Sequence, residues 1–295
     1  MSRRPAYVIL GAGVAGHFAA DALRQAGFDG QVLLIGAEPV RPYDRPALSK
    51  GILQGTKEPQ AIIFQPEAFY REREIDLVLG RAAVEIDPAA RRVVLDSGKS
   101  VSYDRLLIAT GAAPIRPRLP GIGLPGVHVL RSLADAEALR AGLLAAERVL
   151  VIGAGFVGSE VAASARTLGR DVTLLDLLPA PMSRALGPEL AAVYAELHRA
   201  HGVDLRMGRG VVELRGRDRV EEAVLDDGTL LACDLVVLGV GVRPAVDLAM
   251  AAGLDVDDGI LVDEHCATNA SGVYAAGDVA TWWHPTLGRR IRVEH

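Results

Sequence analysis

Gly11, Gly13 and Gly16 in "VILGAGVAGHFAADALRQAGF", and Gly153, Gly155 and Gly158 in "LVIGAGFVGSEVAASARTLGR", share the spacing GxGxxG. Glycines so placed let the backbone approach a pyrophosphate, whose charge then rests on the N-terminus of the following helix. One such motif alone says little. Here each follows a strand pattern and opens a helix pattern, which is the setting this chemistry needs. A carboxylate stands at the end of the next apolar run in both copies, Glu38 in "QVLLIGAE" and Asp176 in "DVTLLDLL". There it can accept ribose hydroxyls, and at Asp176 it would also repel a 2′-phosphate, favouring NADH over NADPH. A solvated strand-end residue is the alternative for Asp176, and the ribose role is the one expected. Two dinucleotides on one chain imply a hydride passing between them. The usual pair is NAD(P)H and FAD, the flavin being the member that can release electrons singly.

The elements that must position these residues repeat as well. "IDLVLGRAAVEID" from Ile75 resembles "VDLRMGRGVVELR" from Val203, and both alternate as short strands do. "LDSGKSVSYDRLLIATGAAP" from Leu95 matches "LDDGTLLACDLVVLGVGVRP" from Leu225 without a gap. The expected fold is therefore α/β, with two similar Rossmann-like domains of three-layer ββα form, the second inserted in the first. The Pro- and Gly-dense "AAPIRPRLPGIGLPGV" at 112–127 is the outward connection, and the return falls near "GVGVRPA" at 239–245. The expected boundaries are 1–114 for the first segment of an FAD-binding domain, 115–241 for an NADH-binding domain, and 242–295 for the second FAD-binding segment.

Composition narrows the function classes. A chain of 295 residues, half of them hydrophobic, can form two domains with proper cores. A formal net charge of −5 gives no reason to expect nucleic acid. No apolar run approaches the ~20 residues of a membrane span. Cys233 and Cys266 form no CxxC and read as reduced thiols, which suits the cytoplasm. His198 and His201 make an HxxH without a nearby third ligand, so no metal site is expected.

"RPYDRPALSKGIL", residues 41–53, raises a separate question. Of 32 basic residues only Lys50, Lys57 and Lys99 are lysine, leaving 32 − 3 = 29 arginines. Arg45 lies in this proline-fixed loop after Glu38, which suits a pyrophosphate contact as well as it suits a solvated arginine. Asp278 ends the short apolar strand "GVYAAGD", where it can accept ribityl hydroxyls, cap the next helix, or both. For Lys50 the bare sequence allows a surface lysine on a short helix begun by Pro46 just as readily as a charge at a redox centre.

"PYDRPALSKG", "ATGAAP", "GAGFVGSEVAA", "LHRAHGVDLRMG", "GVGVRP" and "VYAAGDVA", in this order, resemble the FAD- and NADH-dependent ferredoxin reductases of bacterial oxygenase systems. That family includes putidaredoxin reductase and the reductases of aromatic-ring dioxygenases, with apoptosis-inducing factor a more distant relative. The resemblance implies FAD contacts from Gly11, Gly13, Ala15, Gly16, Glu38, Arg45, Lys50, Ala83 (through its backbone), Ala109, Thr110, Gly111, Arg131 and Asp278. It implies NADH contacts from Gly153, Gly155, Phe156, Val157, Gly158, Glu160, Asp176 and Gly241. Lys50 would be catalytic beside the flavin N5 edge, and Glu160 would keep it ionised. A compact ammonium can approach the ring as a point charge, whereas a planar guanidinium spreads its charge and needs more room.

Disulfide reductases of this architecture carry a redox cysteine pair early in the chain, and residues 1–114 contain no cysteine. The electrons are therefore expected to leave the flavin directly for a ferredoxin-type iron–sulfur protein. A rubredoxin acceptor is the alternative, as is a redox-sensing protein that holds NAD(H) and FAD without turnover. The expected assembly is a monomer or homodimer. Family members continue past "RVEH" with a helix that completes the FAD domain and a further domain, so the resemblance implies a native chain longer by ~100 residues.

Overall fold

Apolar runs that end at a glycine or an acidic residue become the strands of two parallel sheets. The computed structural model describes residues 4–294. In chain order the elements are β1 (Ala6–Leu10), α1 (Val14–Gln25), β2 (Gln31–Gly36), α2 (Glu67–Glu72) and β3 (Ile75–Leu79). A meander of β4 (Ala83–Asp87), β5 (Arg92–Leu95) and β6 (Ser100–Ser102) leads to β7 (Arg105–Ile108) and β8 (Ala112–Pro114). Next come β9 (Val127–His128), α3 (Leu133–Ala145), β10 (Arg148–Ile152), α4 (Phe156–Thr167), β11 (Asp171–Asp176), α5 (Ser183–Ala200) and β12 (Asp204–Met207). A second meander of β13 (Val211–Arg215), β14 (Glu222–Leu225) and β15 (Leu230–Ala232) precedes β16 (Leu235–Leu238), β17 (Val242–Pro244) and α6 (Asp247–Ala251). The chain closes with β18 (Val256–Asp257), β19 (Gly259–Val262), β20 (Val273–Ala275), β21 (Ala280–His284) and β22 (Arg289–Ile291).

Contacts group the chain into two compact units. One runs up to Asp44, then Ile63–Ala113, then from Pro244 onward; the other is Arg45–Ile62 with Pro114–Arg243. The sequence boundaries at 114/115 and 241/242 left residues 45–62 in the first domain, whereas the contacts join them to the second unit. Two polar bonds are among the contacts that do so, alongside the buried Leu48, Ile52 and Leu53. The Ser164 hydroxyl of α4 donates to the Ser49 carbonyl at 2.7 Å, and Gln54 Nε2 donates to Ser164 Oγ at 3.1 Å.

In the first unit the parallel sheet has the order β20-β7-β1-β2-β3. Successive side chains of β1 point to opposite faces, and both faces are covered, so the strand is apolar throughout. Val8 and Leu10 join Ile86, Val93, Leu95 and Tyr103 beneath the meander, while Ile9 joins Ala20, Val32 and Leu34 beneath α1. In the second unit the order is β12-β11-β10-β16-β9, again all parallel. The fifth strand has a different origin in each: β20 arrives after the return crossing, β9 before β10.

The repeat extends to details. Both meanders carry a register shift at their first strand, between Ala83 and Glu85 and between Val211 and Glu213. Arg24 of α1 binds the carbonyls of Phe28, Gly30, Arg73 and Glu74, and Arg166 of α4 binds those of Arg170 and His201. Each arginine thus ties the end of its helix to the strand that follows.

His17, directly after Gly16, is 2% exposed, and its Nδ1 lies 2.9 Å from the hydroxyl of Tyr70, itself 1% exposed. The imidazole stacks on Phe64 with centroids 5.4 Å apart. Burial holds His17 below the ordinary histidine range and pushes Tyr70 up to about 12. His128 and His198 are held low by burial as well. A depressed histidine is neutral in the fold while the unfolded chain takes up a proton first. Its contribution is complete above about pH 6.5 and is lost as the pH falls from there through the lower folded value. His17→Phe should cost about 1–3 kcal/mol, because it orphans the buried Tyr70 hydroxyl. His17→Phe combined with Tyr70→Phe should recover most of that loss and flatten the acid dependence. Thermal melts between about pH 8 and pH 5.5 check both expectations, and a double variant as unstable as the single would refute the role given to the hydrogen bond.

Candidate functional site

The two glycine motifs fold alike because the protein's own backbone fills two of the three places where a Cβ would go. A Cβ on Gly11 would lie 2.0 Å from the Ala109 carbonyl oxygen, and one on Gly16 would lie 1.9 Å from that of Gly11. In the second copy Gly153 would meet the Gly239 oxygen at 2.4 Å and Gly158 the Gly153 oxygen at 1.8 Å. Gly11 and Gly153 also take φ of 115° and 100°, a region open to glycine and strained for other residues. Gly13 and Gly155 differ: nothing lies within 4 Å of a Cβ placed there. The middle glycine of each motif therefore borders open space.

That space is floored by a helix start. Gly13 and Gly155 are the N-caps of α1 and α4; neither helix has a side-chain cap or an acidic residue in its first turn. The first intrahelical bonds come from His17 to Gly13 and from Ser159 to Gly155. The preceding N–H groups, of Val14, Ala15 and Gly16 and of Phe156, Val157 and Gly158, have no intrahelical acceptor. A pyrophosphate fits such a cradle in charge.

Several of the other assigned residues fall on the same sheet edges. In the first unit, Glu38 follows β2 and accepts a hydrogen bond from the Tyr43 hydroxyl at 2.7 Å. Ala109, Thr110 and Gly111 follow β7, with the Thr110 hydroxyl on the Ala245 carbonyl at 3.1 Å. Asp278 sits in the turn Gly277–Val279 after β20. A Cβ on Gly277 would come within 2.9 Å of the Ala15 methyl, so this turn runs against the first turn of α1. Ala83 opens β4 at the meander's register shift. In the second unit, Asp176 ends β11 and Gly241, with φ of 109°, follows β16. The C-terminal edge of a parallel sheet is where ligands of such folds bind.

Asp176 is fixed by its surroundings. One oxygen accepts from the Ala154 N–H inside the glycine motif at 2.6 Å, and the other from Leu178 N–H at 2.8 Å. The carboxylate thus braces the loop and keeps its place beside it.

Lys50, Glu160, Arg45 and Arg131 all lie in the second unit. After a single 3₁₀ turn, Arg45–Ala47, the backbone widens to a π-helical turn over Leu48–Ile52, a form often found at functional sites. Lys50 Nζ lies 2.8 Å from Glu160 Oε1 and 3.2 Å from the Pro46 carbonyl. Glu160 projects from the first turns of α4. The pair is half-exposed, with side chains 51% and 33% accessible. An ion pair in that setting adds no more than about 1 kcal/mol to stability, so stability does not explain it. Arg45 donates to the Arg131 carbonyl, and the Arg131 N–H bonds Asp135 Oδ2 at 3.1 Å beside the capping box of α3.

Gly11, Gly13, Ala15, Gly16, Glu38, Ala83, Ala109, Thr110, Gly111 and Asp278 belong to the first unit; Arg45, Lys50 and Arg131, assigned to the same cofactor, belong to the second together with all the residues assigned to NADH. Ser49 and Tyr43 hold the assigned carboxylates and were not foreseen. The signal for Ser49 was indirect: Glu160 and Ser164 are one helical turn apart, so one face of α4 offers two polar partners to whatever packs there.

The sequence profile of the pyridine nucleotide-disulphide oxidoreductase family matches residues 5–293. The ferredoxin–NAD(+) reductase component of the anthranilate 1,2-dioxygenase system of Burkholderia cepacia is 43% identical over 303 aligned positions, gaps included, which cover all of this chain and 72% of that protein. A rubredoxin–NAD(+) reductase of Pseudomonas putida is 37% identical over 290 residues, spanning 98% of this chain and 75% of that protein. The crystal structure of a ferredoxin reductase from Rhodopseudomonas palustris superposes with a TM-score of 0.95 at 40% identity, covering 98% of this chain and 72% of that one.

The glycine geometry separates folding from binding. Gly158→Ala sets a methyl group 1.8 Å from a carbonyl oxygen and should lower the melting temperature or prevent folding. Gly155→Ala should melt like the parent yet bind NADH about tenfold or more weakly. Thermal melts with calorimetric titration distinguish them, and equal binding by Gly155→Ala and the parent would contradict this use of the open position.

Proposed function

Because the chain belongs to the pyridine nucleotide-disulphide oxidoreductase family, we propose that it is an NADH-dependent FAD reductase that passes electrons to a ferredoxin-type iron–sulfur protein of an oxygenase system. The observation that carries this reading is the Lys50–Glu160 ion pair on the helix of the second glycine motif. Its support comes also from relatives named as reductase components of oxygenase systems. A rubredoxin-type acceptor is the second reading, and the rubredoxin–NAD(+) reductase among the relatives favours it.

The residues have separate tasks in this proposal. The α1 cradle, with Gly13 at its open position, holds the FAD pyrophosphate, and Glu38 accepts its ribose hydroxyls. Asp278 accepts ribityl hydroxyls, and the Ala109–Gly111 and Ala83 backbones contribute further contacts. The α4 cradle holds NADH, with Phe156 and Val157 supplying free N–H groups, Gly241 the opposite wall, and Asp176 the ribose acceptor. Bound FAD supplies a hydride acceptor that can then give up electrons singly. Lys50 sets a fixed positive charge where negative charge gathers, and Glu160 keeps that ammonium ionised once water is displaced. Lysine suits the place because its charge is compact; arginine would spread it over a plane.

Mixing the protein with NADH, a bacterial ferredoxin and separately a rubredoxin tests the reading directly. Ferredoxin should be reduced rapidly, and a protein that stays reduced in air with either carrier would sink it. Lys50→Met should keep FAD bound while slowing its reduction by NADH about tenfold or more, and Lys50→Arg should be impaired despite its charge. If both variants react at the parent rate, Lys50 is a surface residue. NADH should be preferred over NADPH, and Asp176→Ala should narrow the gap by weakening NADH about 1–3 kcal/mol, or roughly five- to 150-fold. Equal use of the two nucleotides by the parent protein would refute the role of Asp176.

A further inference from the structure

The Lys50–Glu160 pair has a third member. Ser49 is 5% exposed, and its hydroxyl lies 2.5 Å from Glu160 Oε2, while Lys50 Nζ holds Oε1 at 2.8 Å. The two oxygens of one carboxylate are thus held by adjacent residues of the π-helical turn Leu48–Ile52. Ser49 is fixed from behind: its carbonyl accepts from the Ser164 hydroxyl at 2.7 Å, and Ser164, 1% exposed, accepts from Gln54 Nε2 at 3.1 Å. Glu160 and Ser164 stand on the same face of α4, so the turn is pinned to that helix at two places.

The two anchors on Glu160 differ in kind. Lys50 is half-exposed on a flexible four-carbon stem, and by itself it would leave the carboxylate free to swivel. Ser49 is a buried donor on a short side chain, and its bond to a charged acceptor is of the strong class. We propose that Ser49 is the positioning residue of the pair: it fixes the plane of the Glu160 carboxylate, and the fixed carboxylate in turn holds the Lys50 ammonium in one place. This rests on the reading of Lys50 and Glu160 given above. The alternative is that Ser49 is merely a buried hydroxyl with a satisfied hydrogen bond, whose loss would leave Lys50 unmoved.

The scarcity of lysine makes the test clean. Trace acylation of the purified holoprotein, followed by mass spectrometry, reads three amines separately, with exposed Lys57 and Lys99 as internal references for Lys50. In Ser49→Ala the labelling rate of Lys50 relative to those references should rise roughly fivefold to tenfold, as expected when one charge-assisted hydrogen bond is lost. Flavin reduction by NADH should slow by a similar factor, and Ser49→Thr, which keeps the hydroxyl, should restore both. Unchanged labelling of Lys50 in a folded Ser49→Ala protein overturns the proposal, whatever the rate does. Raised labelling with an unchanged rate overturns it too. If Lys50→Met is then also unimpaired, the fault lies in the reading of the lysine; if Lys50→Met is slow, it lies with Ser49 alone.

Discussion

A Cβ on Gly16 would lie 1.9 Å from the carbonyl oxygen of Gly11, and one on Gly158 would lie 1.8 Å from that of Gly153. This contact of backbone on backbone, made once in each unit, lets a helix begin directly off the end of the central strand. The free N–H groups of its first turn then face the same edge of the sheet at which β2 and β7, or β11 and β16, deliver their terminal residues. A side chain at either glycine would lift the helix from the sheet. Ala20 in one unit and Val161, Ala162 and Ala165 in the other, all fully buried, would lose their packing. The small residues of these helices follow from the same closeness.

Charge is divided between the two ends of the sheets. At the N-terminal edge it braces strands: Asp104 accepts from the Ala6 N–H at 2.7 Å, and its counterpart Asp234 accepts from the Arg148 N–H at 2.8 Å. The Arg148 guanidinium adds a further bond to Asp234, and these bonds together hold its carboxyl at about 2. At the C-terminal edge Asp176 takes two backbone bonds, and Glu160 is shared between a hydroxyl and an ammonium. Carboxylates brace the strands at one end and tie down the loop and the turn beside α4 at the other.

Much of this was legible in the sequence because it is local and periodic. The glycine spacing specifies a turn geometry, the apolar runs of β1 and β10 specify strands buried on both faces, and the repeat of short alternating strands after each motif foretold two copies of one domain, though not the register shift that both meanders share. What escaped was set by contacts between distant segments. Nothing in "RPALSKG" tells that its backbone will be drawn onto α4 and leave the first unit, since its polar partner there, Ser164, is an ordinary hydroxyl. The bond of Tyr70 to His17 was hidden in the same way, because a histidine in a small-residue helix gives no sign of which hydroxyl will reach it.

The different origins of the two fifth strands impose an order on synthesis. Every residue of the second unit, from Arg45 to Arg243, leaves the ribosome before β20, the strand that finishes the first sheet beside β7. The inserted unit can therefore be complete while its host still waits with β7 as an open edge. An unpaired, apolar edge of that kind is where a nascent chain meets wrong partners. The guest is thus finished before the house.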